Sequence, residues 1–340
     1  MKRSRRTFMQ GATLASAVSA GVNFASAQSG VTAHQTVARR KLGNSGVDVS
    51  ILGLGGYHLG SADTLETAKK IVANALDSGI NFFDCAWEYH EGKSEEWLGE
   101  ALASRRKEAI VMSKVCTHGR GKKVAMQQLE ESLRRLKTDY LDVWQIHEVI
   151  YENDPDMIFA PGGVAEALLE AKQQGKVRMV GFTGHKDPSM HLRTLQHGFP
   201  FDTVQMPLNA FDATFRSFEQ HVLPEANRRG IAVLGMKSLG GSGEMVRLGA
   251  ITPAEALRYA MSLPVATTIS GINSLDVLKQ NLEIVSAFQP MTSAEMAELR
   301  KRCAAEAADG HLELFKTSTK YDGAVGRQQH GYPSVEQLPI

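Results

Sequence analysis

The chain has 340 residues and a formal charge of +1, from 38 basic and 37 acidic residues. This balance leaves no basic excess to neutralise phosphates, so nucleic acid is not expected as a partner. The three cysteines, Cys85, Cys116 and Cys303, lie too far apart for a disulfide framework or a clustered zinc or iron–sulfur site. No histidine spacing of a metal motif occurs either, so the sequence predicts no metal.

The first 27 residues have the pattern of an export signal. Paired arginines at 5–6 are followed by an apolar run of small residues, and the A-S-A sequence at 25–27 has the form of a cleavage site. The run is too short and too weakly apolar for a stable membrane span. The S-R-R-x-F-M order is typical of a twin-arginine signal, which is recognised by machinery that exports folded proteins. We therefore predict a signal peptide at 1–27, a mature N-terminal segment at 28–38, and a periplasmic protein that folds in the cytoplasm. A basic leader without a targeting role is the alternative.

Beyond this segment, short apolar runs alternate with amphipathic stretches. A small hairpin is predicted first, over 40–50, with its turn at 44–46. Strands are predicted at 51–55, 81–86, 109–115, 140–147, 177–183, 201–206, 231–237 and 265–271. Helices are predicted after them at 63–78, 94–104, 122–136, 163–174, 187–197, 214–229, 253–262 and 274–287. The pattern is therefore eight consecutive strand–helix units.

The regular alternation restricts the fold to two architectures. Near-continuous apolar strands are typical of a parallel sheet buried on both faces, which is either an open doubly wound sheet or a closed barrel. After the first strand the glycine pattern is not that of a dinucleotide-binding sheet, because His58 stands where the fingerprint has its third glycine. Eight units over about 250 residues predict an α/β fold, a (β/α)8 TIM barrel. It would span 39–308, with a short N-terminal β-hairpin and, at its other end, a C-terminal helix and a tail at 309–340.

Four polar residues lie where consecutive predicted strands end, which is where the active sites of such barrels are found. Asp84 and Tyr89 follow the second strand, Lys114 ends the third and His147 ends the fourth. An ammonium beside a phenol lowers the phenol pKa from about 10, so Lys114 would make Tyr89 a usable general acid. Asp84 would keep Lys114 charged through an ion pair, and His147 would donate a hydrogen bond to a carbonyl. These residues predict a proton-donating pocket for carbonyl reduction.

The segments that carry these four residues are NFFDCAWEY, MSKV and DVWQIH. Together they resemble the catalytic Asp, Tyr, Lys and His of the aldo/keto reductases, including the spacing between Asp84 and Tyr89. KLGNSGVDVSILGLGG, GKVRMVGFTG and GIAVLGMKSLGG extend the resemblance over roughly 39–290. It implies an NAD(P)-dependent oxidoreductase that reduces an aldehyde, ketone or sugar-like carbonyl to an alcohol, or catalyses the reverse, with Tyr89 as general acid or base.

The resemblance also implies which residues contact the nicotinamide cofactor. They are Gly55, Gly56, Tyr57, Asp84, Thr183, Gln205, Met236, Lys237, Ser238, Leu239, Gly241, Gln280 and Asn281. Within this set, Thr183 and Gln205 match positions that bind the carboxamide, and the loop from Lys237 to Gly241 matches the one that binds the pyrophosphate. Backbone N–H groups in such a loop suit an anion.

The cofactor class itself stays open. Where the family often binds the 2′-phosphate of NADP through basic and hydroxyl side chains, this chain has Gly271, Ile272 and Val277. NADP(H) is implied as the family default, and NAD(H) is the alternative. If the protein is exported, we expect the cofactor to be loaded during folding in the cytoplasm.

Two other functions are compatible with a barrel of this kind. One is a non-catalytic nucleotide-binding barrel that regulates a partner protein. The presence of all four catalytic-type residues argues against it, because a pure binding module has no need of the Asp84–Lys114 pair. The other is an aldolase in which Lys114 forms a Schiff base with the substrate.

Overall fold

A computed structural model describes residues 37–116, 119–323, 327–328 and 334–337. The predicted signal peptide at 1–27 and nearly all of the segment at 28–38 lie outside the described residues. In the part of the chain that the structure describes, no helix combines the length and the apolar character needed to cross a membrane.

Eight parallel strands close into a barrel, which confirms the predicted (β/α)8 fold. The strands are β3 (Leu52–Gly55), β4 (Phe82–Asp84), β5 (Ile110–Val115), β6 (Leu141–Ile146), β7 (Val177–Thr183), β8 (Thr203–Pro207), β9 (Ala232–Met236) and β10 (Thr267–Gly271). Each strand pairs with its neighbours in chain order, and β10 pairs with β3 to complete the ring. The apolar runs in the sequence are therefore a reliable signal, because every strand is covered on both faces.

The helices mostly follow the predicted bounds. They are α1 (Gly56–Leu59), α2 (Leu65–Asp77), α3 (Lys93–Leu102), α4 (Lys122–Arg135), α5 (Asp154–Phe159), α6 (Val164–Gln173), α7 (Pro188–Gln196), α8 (Phe218–His221), α9 (Leu223–Arg228), α10 (Glu244–Arg247), α11 (Pro253–Ser262), α12 (Leu275–Ser286), α13 (Ser293–Ala307) and α14 (Leu314–Thr317). Short 3₁₀ turns occur at Tyr89–Gly92, Arg106–Glu108 and Val335–Gln337.

One predicted helix, 214–229, begins later than expected. The carboxylate of Asp212 accepts hydrogen bonds from the backbone N–H groups of Phe218 (3.2 Å) and Glu219 (2.8 Å). If the helix began earlier, these two N–H groups would bond within the helix. Because Asp212 binds them instead, helical structure begins at Phe218. The segment is then divided into α8 and α9, with a proline in the first turn of α9.

The N-terminal hairpin closes one end of the barrel interior. Strands β1 (Arg39–Lys41) and β2 (Asp48–Ser50) pair antiparallel, which confirms the predicted hairpin. Leu42 and Val49 of this hairpin belong to the same buried apolar cluster as interior side chains such as Phe82 and Met112. The opposite end of the barrel is left for polar side chains.

The C-terminal segment packs onto the loops at that opposite end. Lys316 is fully buried, and its ammonium lies 2.6 Å from a carboxylate oxygen of Asp212 and 3.0 Å from one of Glu313. Further along, the buried carboxylate of Asp322 accepts hydrogen bonds from Lys186 (2.5 Å) and from the hydroxyl of Tyr151 (2.6 Å). Because these pairs are buried, removing one partner of either would be costly, so the tail up to 323 is part of the folded barrel.

Candidate active site

The alternation of side chains along the strands explains why three of the four predicted catalytic residues meet. Side chains two positions apart on a strand point to the same face. Phe82 and Met112 lie in the barrel interior, so Asp84 and Lys114 also point inward, one step closer to the open end. His147 stands just beyond β6, four residues after the interior side chain of Val143.

Lys114 and Asp84 form a buried ion pair at the centre of the site. The Lys114 ammonium also donates to the carbonyl of Cys85 (2.8 Å) and lies 3.4 Å from the hydroxyl of Tyr89. The second carboxylate oxygen of Asp84 accepts from the Gln205 side-chain amide at 2.8 Å. Both charges are therefore held in fixed positions, and the ammonium is directed at the Tyr89 hydroxyl.

Tyr89 is held in its neutral form, which corrects one expectation. Its ring is partly exposed, yet burial of the hydroxyl raises the pKa of Tyr89 well above its usual value, and the carboxylates of Asp84 and Glu88 raise this pKa further. The expectation of a Tyr89 pKa below its usual value is wrong, because burial of the hydroxyl and the nearby carboxylates outweigh the attraction of the Lys114 ammonium for the phenolate. A neutral phenol is still able to donate a proton to an oxygen that becomes strongly basic as hydride arrives on its carbon.

The backbone after Tyr89 is unusual. His90 and Glu91 have φ angles of 51° and 58°, and Gly92 has a φ of 94°, so three consecutive residues adopt left-handed conformations. Such conformations are costly for residues other than glycine and persist only where surrounding contacts impose them. Here an imidazole nitrogen of His90, Nε2, lies 2.8 Å from the carbonyl of Tyr57 and fixes the turn. This tight turn directly follows Tyr89, whose hydroxyl lies 3.4 Å from the Lys114 ammonium.

His147 has a partner that the sequence does not reveal. Its Nδ1 lies against a carboxylate oxygen of Glu88, and its ring meets the Tyr89 ring edge to face with 5.6 Å between centroids. The buried guanidinium of Arg120 donates to the backbone carbonyl of His147 at 2.8 Å and to that of Glu148 at 2.9 Å. Glu88 and His147 are 59 positions apart, and no motif relates them.

The two residues predicted to bind the carboxamide have polar side-chain atoms without hydrogen-bond partners. The hydroxyl of Thr183 and the side-chain carbonyl of Gln205 are fully buried and have no hydrogen-bond partner among the described residues. The Ser238 hydroxyl, in the predicted pyrophosphate loop, is in the same state. Leaving such a group unsatisfied costs about 1–3 kcal/mol, so these positions fit a polar ligand that supplies the missing partners.

Lys237, in the loop after β9, lies next to the C-terminal segment. The Lys237 ammonium lies over the aromatic rings of Phe315 (5.3 Å to the centroid) and Tyr321 (4.8 Å). Burial lowers the pKa of Lys237 to about 8, against a smaller opposing effect of Glu148. The Tyr321 hydroxyl lies 2.9 Å from that of Ser242. The tail thus packs on the loop that is predicted to hold the pyrophosphate.

The other predicted cofactor residues are placed as follows. Gly55 ends β3, and a side chain at Gly56 would come within 2.6 Å of the Asp84 carbonyl, so this position needs a glycine. Tyr57 is 52% exposed and meets the Tyr89 ring edge to face, with 5.4 Å between centroids. Met236, Leu239 and Gly241 lie at the end of β9 and in the loop after it, and Gln280 and Asn281 lie on α12. These assignments stay predictions.

Known proteins are similar to this chain in sequence and in fold. The model of the aldo/keto reductase family matches residues 51–246. The chain is 31% identical over 254 residues to a 6-dehydroglucose reductase from Novosphingobium aromaticivorans. The alignment covers 69% of this chain and 79% of that protein.

Two solved structures are also similar to this chain. An aldo-keto reductase from Bacillus halodurans in its holo form has 25% identity and a TM-score of 0.64, over 78% of this chain and 96% of that one. An aldo-keto reductase from Klebsiella pneumoniae in complex with NADPH has 22% identity and a TM-score of 0.63, over 79% and 96%.

Proposed function

This chain belongs to the aldo/keto reductase family of oxidoreductases, and from that premise we propose that it reduces a carbonyl substrate with NADP(H), or oxidises the corresponding alcohol, using Tyr89 as general acid or base. The observation that carries the proposal is the contact of the Lys114 ammonium with both Asp84 and Tyr89 at the open end of the barrel. A barrel that only binds nucleotide has no use for a buried ion pair aimed at a phenol.

A bound nicotinamide would supply or accept the hydride. The chain's own residues then control the proton. Tyr89 donates its hydroxyl proton to the oxygen of the substrate, and the Lys114 ammonium, 3.4 Å away, stabilises the phenolate that remains. Asp84 keeps Lys114 charged and oriented, and the Gln205 amide at 2.8 Å keeps Asp84 in place. In the oxidation direction the same contacts would stabilise the phenolate that accepts the proton.

NADP(H) is the proposed cofactor. The support for a nicotinamide dinucleotide of either class is the unsatisfied hydroxyl of Thr183 and carbonyl of Gln205 for the carboxamide, and the Lys237 ammonium with the Ser238 hydroxyl for the pyrophosphate. One structural relative was solved with NADPH, and we carry this cofactor over to the present chain as part of the proposal. The proposed substrate class is an aldehyde, ketone or sugar-like carbonyl, in line with the name of the 6-dehydroglucose reductase.

Two measurements test this function. Nucleotide released from the purified full chain should be NADP(H), and a panel of aldehydes, ketones and aldoses should oxidise NADPH faster than NADH. Cofactor binding without oxidation by any carbonyl would instead favour a nucleotide-binding regulator. Trapping of a substrate on Lys114 by borohydride would favour the aldolase alternative.

We further propose that residues 1–27 direct export of the folded, cofactor-loaded protein to the periplasm. The basis is the sequence alone, namely the arginines at 5–6 and the small-residue site at 25–27. Replacing both arginines by lysine should retain the protein in the cytoplasm, while the unaltered chain is recovered in the periplasmic fraction with nucleotide bound. Equal distribution of both forms would contradict the proposal.

A further inference from the structure

Lys237 is a half-buried cation whose nearest described neighbours are aromatic rings. Its ammonium lies 5.3 Å from the ring centroid of Phe315 and 4.8 Å from that of Tyr321, and the two rings meet edge to face. Glu148 and Glu244 attract it only at longer range, and among the described residues no carboxylate forms an ion pair with it. An aromatic face attracts a cation without using its N–H donors. The ammonium is therefore held in place while its hydrogen bonds remain available to an anion.

The backbone of Lys237 is also connected to the C-terminal segment. Its φ angle of 55° lies in the left-handed region, which is costly for a lysine and persists only where other contacts impose it. The side-chain amide of Asn209 donates to the Lys237 carbonyl at 3.3 Å and to a carboxylate oxygen of Glu313 at 3.1 Å. Asn209 thus links the unusual backbone of this lysine with a buried residue of the C-terminal segment.

Tyr321 lies directly on the loop that follows Lys237. A Cβ atom at Gly241 would come within 2.1 Å of the Tyr321 hydroxyl, and this hydroxyl lies 2.9 Å from that of Ser242. The next residue, Asp322, is fixed by its buried contact with Lys186 at 2.5 Å. Because Tyr321 is held by its neighbour in the chain, the loop moves away from the C-terminal segment only if the contacts of this tyrosine break.

We propose that Tyr321 is a positioning residue of the cofactor site, which holds the Lys237 ammonium and the loop after it in the form that binds the pyrophosphate and so slows release of the cofactor. The inference rests on the proposed reductase function, because the anion it invokes is the pyrophosphate of the nicotinamide dinucleotide. A slowly released cofactor is also what the proposed export of a loaded protein requires.

The rate of cofactor release tests this role. NADPH bound to the purified full chain is displaced by excess NADP⁺, and the change in its fluorescence gives the dissociation rate constant. Tyr321→Ala removes the ring and the hydroxyl and should raise this rate constant about tenfold, as expected for the loss of a cation–π contact and a hydrogen bond. Tyr321→Phe keeps the ring and should stay within about threefold of the wild type.

A matched control is available at the opposite end of the barrel. The ring of Tyr140, just before β6, lies 4.3 Å from the guanidinium of Arg106 and 4.1 Å from that of Arg178. Tyr140→Ala therefore removes a tyrosine that also faces cations, but far from the cofactor loop. This variant should release NADPH at the wild-type rate even if its stability is lowered.

The pH dependence of binding separates positioning from a general loss of stability. Burial lowers the pKa of Lys237 to about 8, so NADPH affinity of the wild type should begin to fall as the pH rises through this value. Removing the Tyr321 ring opens the ammonium to water, which raises the pKa of Lys237 towards its usual value. In Tyr321→Ala the fall should therefore begin at a higher pH, whereas a variant that is only destabilised keeps the wild-type profile.

The outcomes distinguish this inference from the proposed function. Equal dissociation rates in Tyr321→Ala and the wild type, equal acceleration in Tyr140→Ala, or an unshifted pH profile in Tyr321→Ala would overturn the inference and leave the function intact. A wild-type chain that binds neither NADPH nor NADH would refute the proposed function and, with it, this role of Tyr321.

Discussion

The site has two walls, which differ in whether their central polar groups already have a hydrogen-bond or ion-pair partner. The catalytic wall, made by the residues that follow β4 and β5, has its central charges already paired, since Lys114 and Asp84 bind each other and also a backbone carbonyl and an amide. The cofactor wall, made by β7, β8 and the loop after β9, contains buried hydroxyls on Thr183 and Ser238 that have no partner among the described residues. The difference fits a first wall that is preorganised for proton transfer and a second wall that the proposed cofactor would complete.

The largest expected effect is at the proton donor. Tyr89→Phe removes the hydroxyl that faces Lys114 and should lower kcat/KM about a thousandfold, because general acid catalysis then loses the donor in that position. Fluorescence titration should show cofactor affinity within about twofold of the wild type, since a contact of the catalytic wall is lost. A large loss of affinity with a modest loss of kcat would mean that the two walls are not separate.

Breaking the central ion pair should affect both turnover and stability. Lys114→Met leaves the Asp84 carboxylate buried without its counter-ion, which we expect to lower the free energy of unfolding by about 3–5 kcal/mol. Urea denaturation measures this loss. The double substitution Lys114→Met with Asp84→Asn removes the unpaired charge and should recover a large part of the stability, but none of the activity. Equal stability of the single and double variants would show that the pair is not buried as described.

On the cofactor wall, we expect a substitution to weaken cofactor binding without lowering the stability of the protein. Thr183→Val replaces an unsatisfied hydroxyl with a methyl group of similar size, so the cofactor-free protein should be as stable as the wild type or more stable. Cofactor affinity should fall about tenfold, because the hydrogen bond to the ligand is lost. Thermal denaturation with and without NADPH separates the two effects. A destabilised cofactor-free variant would show that the hydroxyl already has a partner.

An effect of about the same size concerns the pH dependence of cofactor binding. The pKa of Lys237 is lowered to about 8 by burial, so its ammonium is mostly present below that pH and is lost as the pH rises through it. Binding of the cofactor phosphates should therefore weaken about tenfold from pH 7 to pH 9, because only the charged form attracts them. Lys237→Met should bind weakly at both pH values. A wild-type affinity that is constant over this range would exclude Lys237 as a phosphate contact.

The same two walls show what sequence can predict. Apolar runs mark the strands, and a period of two fixes which of their side chains point inward. The sequence alone therefore places Asp84, Lys114 and His147 together at one end of the barrel. Local signals also predict helix bounds well, as for α11, which begins with a capping box of Thr252 and Glu255 at the predicted position.

Contacts between distant segments are not predictable in this way. The ammonium of Lys316 pairs with Asp212 across 104 positions, and the carboxylate of Glu88 meets His147 across 59. Neither contact has a local pattern, because each depends on how loops fold over the barrel end. The direction of the Tyr89 pKa shift is hidden from the sequence for the same reason, since it follows from burial of the hydroxyl beside two carboxylates.

The most direct test of the account is transfer of deuterium from NADPH in which both hydrogens at C4 of the nicotinamide are replaced by deuterium. In the wild-type chain, we predict deuterium on the carbon of the product that carried the carbonyl, with one cofactor oxidised for each product formed. The Tyr89→Phe variant should bind the labelled cofactor and form almost no labelled product. Labelled product formed at the wild-type rate by Tyr89→Phe, or a wild-type product without deuterium, would contradict the account.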